Sequence, residues 1–169
     1  MPGQAYFITK CALDRVLTTD DCAELVIASF LWARDNAWWR ILGFVVMPDH
    51  YHLAICLLGT KTLSEVLHSI SRFTANRINA NLGRSGPVWE EGFYDHAIRD
   101  RVDFDGILAY MHDNPVKAVL TEAADSWPYS TANPRYAQEI EWEWLDPSMP
   151  KIVPGAARFQ EHMIPPRFR

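Results

Sequence analysis

Apolar residues recur along the chain at two different spacings, and these spacings predict strands that alternate with helices. Short apolar runs bounded by turn residues predict strands at 5–13, 41–47, 50–58 and 88–98. Stripes with a 3.6-residue period predict helices at 19–36, 62–82 and from about 103 to 114. The predicted order of elements is therefore β-α-β-β-α-β-α.

The first six predicted elements match the ferredoxin-like βαββαβ arrangement, in which both crossover helices cover one face of an antiparallel sheet. The sequence thus predicts an α+β fold with an added, tyrosine-bearing third helix that is free to cover the other face. This helix is expected to end at Asn114, because a residue that precedes proline disfavours α geometry. Without an internal repeat or a linker, we expect one domain over residues 1–130 and a C-terminal extension, 131–169, that is packed on it or partly flexible.

Composition narrows the class of protein. The chain has 169 residues, of which 49% are hydrophobic and 22% are charged, and this balance is typical of one globular domain. Three cysteines without a C-x-x-C pair, Cys11, Cys22 and Cys56, argue against a disulfide framework and a cysteine zinc site. No run approaches the roughly 20 apolar residues that span a bilayer. We expect a soluble, unexported protein of the cytoplasm without a membrane partner.

The formal net charge of −5 is unfavourable for a nucleic-acid binder, because phosphate contacts need Lys and Arg. The excess acid is concentrated late in the chain, where residues 121–150 hold one basic and six acidic residues. Within this stretch, acidic and apolar residues alternate from Glu139 to Trp144, which predicts an extended segment with its carboxylates turned outward. Two roles stay open for this acidic segment: a packed tail that covers apolar surface, or an inhibitor whose carboxylates compete with DNA phosphates.

Two pairs of residues are candidates for chemistry. His50 and His52 lie two apart in a predicted strand, so their side chains leave the same face with Cα atoms roughly 7 Å apart and can share one metal ion. Tyr110 and Asn114 lie one turn apart on the third helix and share a face. Each pair alone also has an ordinary interpretation, as two partly exposed histidines and as a half-buried aromatic followed by a helix cap.

Three separated blocks around these pairs resemble the single-tyrosine HUH transposases, and in particular the REP-associated tyrosine transposases, which act at repetitive extragenic palindromes in bacterial genomes. The blocks occupy residues Val46–Leu53, Gly86–Asp95 and Tyr110–Ala118. The resemblance runs from about Tyr6 to Ser130, in order and with family-like spacing. It is a specific signal, because three blocks on the expected elements arise by chance far less often than one short motif.

The resemblance implies a metal-dependent single-stranded DNA endonuclease and strand transferase that acts at hairpin DNA. In this family the histidine pair, here His50 and His52, binds a divalent metal, Mg²⁺ or Mn²⁺, and the polar residue after the tyrosine, here Asn114, completes the protein ligands. The tyrosine, here Tyr110, attacks a DNA phosphorus and keeps the 5′ end as a phosphotyrosine, which a 3′-hydroxyl later resolves. The expected partner is single-stranded or hairpin DNA of the nucleoid, bound by a monomer or a homodimer.

Two other functions fit parts of the pattern. A domesticated relative of the same fold would bind single-stranded DNA or RNA without cutting it, although such a binder has no chemical need for all four candidate residues. A replication or conjugation initiator of the HUH type is disfavoured by the short chain and by the single tyrosine that follows the histidine pair.

Basic residues near the matched blocks are candidates for DNA contacts, and they are Arg72, Arg77, Arg84, Arg99, Arg101 and Lys117. The arginines of the second helix also fit a solvated helix face without a ligand. Two departures from the family pattern bear on the site. Val119 stands at a turn where relatives commonly have glycine, and Glu90 and Glu91 bring negative charge near the expected DNA path.

Overall fold

In the part of the chain that the structure describes, four strands and three α-helices follow one another in the order that the sequence predicts. The structure is a computed structural model that describes residues 3–144 and 157–168. The strands are β1 (Ala5–Cys11), β2 (Trp39–Val46), β3 (His50–Leu57) and β4 (Tyr94–Ala97). The helices are α1 (Asp20–Asp35), α2 (Leu63–Leu82) and α3 (Arg101–Lys117).

The strands form one antiparallel sheet in the order β2-β3-β1-β4. Helices α1 and α2 pack on one face around a core that includes Phe30 and Ile70, and α3 packs on the other face around Phe7 and Met111. The prediction of a ferredoxin-like α+β fold with an added third helix is therefore confirmed. Among the described residues, no helix is long and apolar enough to cross a bilayer.

Local sequence signals account for the ends of the first two helices. The side chain of Thr19 accepts a hydrogen bond from a backbone N–H in the first turn of α1. Thr62 and Glu65 form a capping box at the start of α2, and Gly83 ends that helix in the left-handed conformation with φ of 60°. These short-range contacts explain why both helices begin and end close to the predicted residues.

Strand β3 divides its side chains between the two cores, and this alternation places the histidines. Tyr51 and Leu53 belong to the core under α1 and α2, whereas Ala54 belongs to the core under α3. His50 and His52 share the parity of Ala54, so they face α3. Because β3 lies inside the sheet between β2 and β1, its backbone is held on both sides.

The predicted end of the third helix was wrong. Helix α3 continues past Asn114 and through Pro115 to Lys117. Proline removes only one backbone N–H near the last turn, and the buried ring of Pro115 packs in the core side of the helix. The backbone N–H groups of Val119 and Leu120 then donate to carbonyls of that turn at 3.0 and 2.9 Å, in the pattern of a Schellman motif. These contacts outweigh the conformational preference of the residue before proline.

The fourth strand is also shorter than predicted, because regular pairing covers only Tyr94–Ala97. Trp89 makes a single isolated bridge to the residue that follows β1. Gly92, with φ of 73°, then turns the chain away from extended geometry. The ammonium group of Lys10 donates to the backbone carbonyls of Glu90 and Gly92 at 2.6 Å each. In a longer strand, such backbone carbonyls would accept hydrogen bonds from a neighbouring strand instead.

The acidic segment does not form the extended piece that its alternation predicts. Residues Ala137–Glu139 and Trp142–Trp144 are 3-10 turns. Glu139 pairs with Arg34, and Glu141 accepts hydrogen bonds from the Arg40 guanidinium at 3.1 Å and from the Ile41 backbone N–H at 2.8 Å. The carboxylates of Glu139 and Glu141 thus turn inward, because cations and an unpaired strand edge offer them partners.

These contacts place two carboxylates of the acidic segment away from His50, and the hypothesis that the segment lies beside the basic DNA path and competes with phosphate stays a prediction. Arg40 pairs in the sheet with Cys56, six residues along β3 from His50, so the bound carboxylate of Glu141 is at the far end of the strand. The role of a tail that covers the sheet fits the observed contacts. The rest of the predicted extension at 145–156 lies outside the described residues.

Candidate active site

A cavity of about 320 Å³ opens where strand β3 begins and helix α3 ends. All four residues singled out by sequence line this cavity: His50, His52, Tyr110 and Asn114. The two histidines come from the sheet, and the other two residues come from the helix that crosses the same face. The structure therefore brings the four side chains together, and their chemical roles stay predictions.

The two imidazole rings lie close together, with centroids 4.8 Å apart and planes at 72°. His52 is only 1% exposed. Its Nδ1 lies 2.8 Å from Oγ1 of Thr9, and its Nε2 is buried without a hydrogen-bond partner. Burial, together with the charge of nearby His50, lowers the pKa of His52 well below its ordinary value of 6.5. The ring is therefore neutral at pH 7, which is the form that can bind a metal.

His50 is held by the turn that precedes it. Its Nδ1–H donates to Oδ1 of Asp49 at 2.7 Å. This hydrogen bond lowers the pKa of Asp49 below its ordinary value of 3.8 and outweighs the opposite effect of burial. The backbone N–H of Met47 donates to the His50 carbonyl at 2.7 Å and closes the hairpin. Asp49 therefore lies in the turn and also contacts an imidazole.

Aromatic rings enclose Tyr110. Its ring meets Phe7 at a centroid distance of 6.1 Å, His52 at 5.3 Å and Phe159 at 5.4 Å. Lys117, two turns along α3, places its Nζ 5.4 Å from the centroid of the tyrosine ring. The tyrosine is thus oriented toward the histidines with a cation beside it.

The described end of the chain contributes to the same cavity. Glu161 lines it and forms an ion pair with Lys117 at 3.5 Å. Ile164 and Phe168 are buried in the core under α3, so they attach this segment to the sheet. One wall of the cavity therefore comes from residues more than forty positions after Tyr110.

The donor atoms at the cavity suit a divalent metal. His50, His52 and Asn114 offer two imidazole nitrogens and an amide oxygen, a mixed set that Mg²⁺ or Mn²⁺ accepts, with imidazole favouring the transition metal. The buried Nε2 of His52 supports this fit, because a buried polar atom without a partner costs about 1–3 kcal/mol. Within residues 3–144 and 157–168, no three His, Cys, Asp or Glu side chains form a group that could hold a metal ion.

The comparison with known families identifies the chain. A family model described as IS200-like transposase matches residues 6–114, a range that contains the histidine pair, the tyrosine and the asparagine. This chain belongs to the IS200-like transposase family. The match covers more than half of the chain.

Individual members of the transposase family resemble the chain over most of its length. A Haemophilus influenzae protein assigned as a REP-associated tyrosine transposase is 28% identical over 153 residues, which cover 82% of this chain and 85% of the relative. The REP-associated tyrosine transposase of Escherichia coli is 28% identical over 146 residues, which cover 83% and 85%. The fold resembles a solved REP-associated tyrosine transposase bound to a REP hairpin, with a TM-score of 0.66, 21% identity and coverage of 95% and 94%. The predicted resemblance is therefore confirmed.

Only one of the six basic residues predicted to contact DNA lines the cavity of this transposase-family chain, and it is Lys117. Arg84 follows α2 near the same end of the sheet as His50, where its guanidinium donates to a loop carbonyl at 3.4 Å. Arg72 and Arg77 are exposed on α2, which covers the opposite face of the sheet. The arginines of α2 are thus separated from the four candidate residues by the sheet itself.

The remaining two arginines lie at the opposite end of the tyrosine helix from the cavity, and their contact with DNA stays a prediction. Arg101 begins α3 nine residues before Tyr110, which corresponds to about 13 Å along the axis. It pairs with Asp105 at 2.8 Å, and Arg99 lies 3.8 Å from Asp100. Arg99 and Arg101 are close to Tyr110 in sequence, but neither guanidinium lines the cavity.

Sequence reasoning missed several residues at the site, including Arg15 and Thr9. Arg15 lines the cavity from the loop after β1, and Thr9 contacts His52. The contact of Thr9 follows from the register of β1 and β3, in which Cys11 faces His50 and Thr9 faces His52. The predicted topology makes these strands neighbours, but their register depends on packing across the whole sheet, so no local signal identifies this contact.

Proposed function

We propose that this protein is a metal-dependent single-stranded DNA endonuclease and strand transferase that acts at hairpin DNA through a 5′-phosphotyrosine on Tyr110. One observation carries the proposal: Tyr110, His50, His52 and Asn114 line a single cavity. Membership of the IS200-like transposase family supports it. A protein that only holds DNA gains nothing from a tyrosine oriented beside a buried, neutral imidazole.

Tyr110 is the nucleophile in this reaction. Its phenolic oxygen forms a bond to a DNA phosphorus, and the bond from that phosphorus to the 3′ oxygen breaks. The phenol loses its proton, and the departing oxygen gains one and becomes a 3′-hydroxyl. Attack by another 3′-hydroxyl on the phosphotyrosine reverses these changes and rejoins the strand. No nucleotide cofactor is needed, because the phosphotyrosine retains the energy of the broken phosphodiester.

Two cations of the chain favour the binding of a phosphate in this cavity. Lys117 holds its ammonium group 5.4 Å from the centre of the Tyr110 ring, and Arg15 lines another part of the wall. Positive charge here attracts the phosphate and stabilises the negative charge that develops on the attacking and nonbridging oxygens. Asp49 and Glu161 line the same cavity and oppose this attraction, which limits binding by charge alone.

His50, His52 and Asn114 would hold the divalent metal, Mg²⁺ or Mn²⁺. When bound, such an ion neutralises a nonbridging phosphate oxygen and orients the phosphate for in-line attack. The chain prepares for this by keeping His52 neutral through burial and by engaging the Nδ1 atoms of both rings with Thr9 and Asp49. Both Nε2 atoms are then the nitrogens left for a ligand.

The relatives support a class of DNA substrate. Both curated relatives are REP-associated tyrosine transposases, and the structurally similar transposase is bound to a REP hairpin. We infer that hairpins formed by repeated palindromes of the protein's own genome are the DNA that it processes.

A covalent-adduct assay tests the function. Labelled single-stranded hairpins from the flanks of the gene are incubated with protein and Mg²⁺ or Mn²⁺, and a denaturing gel separates free and protein-linked DNA. The unaltered protein should form an adduct. Tyr110→Phe should form none and should bind the hairpin within a few-fold of normal, because only the nucleophilic oxygen is lost. Tyr94→Phe is the matched control, since Tyr94 also packs on Phe7 but lies on β4 outside the cavity lining, and it should retain the adduct.

Two results would contradict the proposal. An adduct that persists in Tyr110→Phe would show that another residue is the nucleophile. Tight hairpin binding by the unaltered protein without adduct or cleavage in either metal would instead favour a non-cutting DNA-binding protein of the same fold.

A further inference from the structure

Strand β1 places a single hydroxyl in an apolar row, and that hydroxyl faces His52. The side of β1 under α3 carries Ala5, Phe7, Thr9 and Cys11, of which the other three belong to the apolar core. Thr9 lies directly opposite His52 in the β1–β3 register and is completely buried. A buried hydroxyl is costly unless it is hydrogen-bonded, and its partner here is the His52 ring at 2.8 Å.

The position of the ring proton on His52 follows from the partners of its two nitrogens. A neutral imidazole has one N–H and one lone pair. If Nδ1–H donates to Thr9, the lone pair lies on Nε2, which has no hydrogen-bond partner in the protein. In the other tautomer, the Thr9 hydroxyl would donate to Nδ1, and Nε2 would carry the proton and have no lone pair for a ligand. The Nδ1–H tautomer is therefore the one that can bind a metal through Nε2.

Asp49 makes the equivalent contact with the other imidazole. A carboxylate oxygen only accepts, so the Nδ1 of His50, 2.7 Å from Oδ1 of Asp49, carries the proton. Two different side chains, one from β1 and one from the β2–β3 turn, thus engage the same nitrogen on both rings. In both rings, Nε2 is therefore the nitrogen that remains available to bind a metal.

We propose that Thr9 is a positioning residue of this site: its hydroxyl accepts the Nδ1–H of His52 and fixes the tautomer and ring orientation that leave Nε2 free for a divalent metal, as Asp49 does for His50. The inference rests on the proposed function, because the metal is part of it. Partners that orient a ligating histidine typically change metal affinity 10- to 100-fold.

Two measurements on the full chain test this role. Nitrogen-15 NMR of the metal-free protein reports the tautomer of each histidine, and calorimetry with Mn²⁺ alone reports metal affinity. His52 should be the Nδ1–H tautomer in the unaltered protein and in Thr9→Ser. Thr9→Val, which keeps the shape and removes the acceptor, should lose that preference and bind Mn²⁺ at least about 10-fold more weakly, whereas Thr9→Ser should stay within a few-fold. Asp49→Ala should alter the His50 signals and leave the His52 tautomer unchanged.

The outcomes separate this inference from the proposed function. An Nε2–H tautomer of His52 in the unaltered protein overturns the inference. This NMR measurement does not depend on whether any variant folds. Unchanged Mn²⁺ affinity in Thr9→Val, when His52→Ala abolishes binding, also overturns the inference and leaves the proposed metal site intact. Unchanged affinity in His52→Ala overturns the metal site itself, and the role of Thr9 with it.

Discussion

Val119 closes helix α3 in a backbone conformation that glycine adopts more easily. Its φ is 57°, and its side chain is 89% exposed, so no packing compensates for the strain. The left-handed conformation costs an L-residue roughly 1–2 kcal/mol, and a β-branched side chain suits it poorly. Val119 occupies the left-handed position of a Schellman motif, which glycine most often occupies.

Val119→Gly should therefore stabilise the protein. The relief of backbone strain exceeds the extra entropy that glycine gives the unfolded chain, so we expect the free energy of unfolding to rise by about 0.5–1 kcal/mol. Urea denaturation measures the change, with Val119→Ala as the control that should gain less. A loss of stability in Val119→Gly would mean that the turn is not strained.

Lys117 should set the affinity for DNA through its charge. It lines the cavity, whereas Arg101 lies at the other end of α3 and pairs with Asp105. Lys117→Ala should weaken hairpin binding and flatten the log–log salt dependence by about 0.7–0.9 of a unit, the contribution of one phosphate contact. Arg101→Ala is the matched control and should leave the slope unchanged. Equal effects of the two variants would place the DNA along the whole helix.

At the scale of elements, one buried carboxylate at the start of helix α3 forms hydrogen bonds with groups from strand β4, from the loop before α3 and from the segment at 157–168. Asp103 is 4% exposed and accepts hydrogen bonds from the His96 ring at 2.9 Å and from the backbone N–H groups of Arg99 and Phe159 at 2.9 and 2.6 Å. Burial alone raises the pKa of Asp103, but these hydrogen bonds together hold it below its ordinary value of 3.8. The charged form is thus the one that the fold stabilises.

The stability that Asp103 contributes should depend on pH. A carboxyl group with a lowered pKa in the folded state stabilises the protein above its unfolded pKa and loses that effect as pH falls through the folded pKa. Asp103→Asn should lower the free energy of unfolding by about 2 kcal/mol at pH 7, and the difference from the unaltered protein should shrink below about pH 4. Asp105→Asn, whose side chain is 57% exposed, is the control with a small and weakly pH-dependent effect. A constant difference down to pH 3 would contradict the assignment.

The elements also show where sequence reasoning is sufficient. Thr19, Thr62 and Gly83 act on neighbours within one turn, so the bounds of α1 and α2 could be predicted from local sequence. The His50–His52 face followed from strand alternation alone. The end of α3 at Lys117 and the contact of Thr9 with His52 depend on packing between distant segments, which no local pattern contains.

On the scale of the whole molecule, the segment after α3 covers the outer edge of the sheet. Strand β2 is an edge strand, and Ser130 bridges to it while Thr131 donates to the Phe44 carbonyl at 3.0 Å. Glu141 binds both the backbone N–H of Ile41 and the Arg40 guanidinium. An uncovered edge offers unpaired backbone groups to other chains, so this cover protects the sheet against edge-to-edge association.

Glu141→Ala should weaken that cover. We expect a loss of about 1–3 kcal/mol in the free energy of unfolding, because a backbone N–H and a guanidinium lose a half-buried acceptor. Glu143→Ala, which changes an exposed carboxylate two residues later, is the control and should have little effect. Hairpin affinity at low salt should not rise in Glu141→Ala. Tighter binding in that variant would support the idea that these acids compete with DNA.

The division of the candidate site between an early strand and a late helix has a consequence for the newly made protein. Tyr110 follows His52 by 58 residues, so at about 5–20 residues per second a ribosome needs about 3 to 12 s to add Tyr110 after the histidine pair. A chain interrupted in that interval carries the imidazoles but not the tyrosine. Under the proposed function, truncated translation products that end before Tyr110 should therefore be unable to nick DNA.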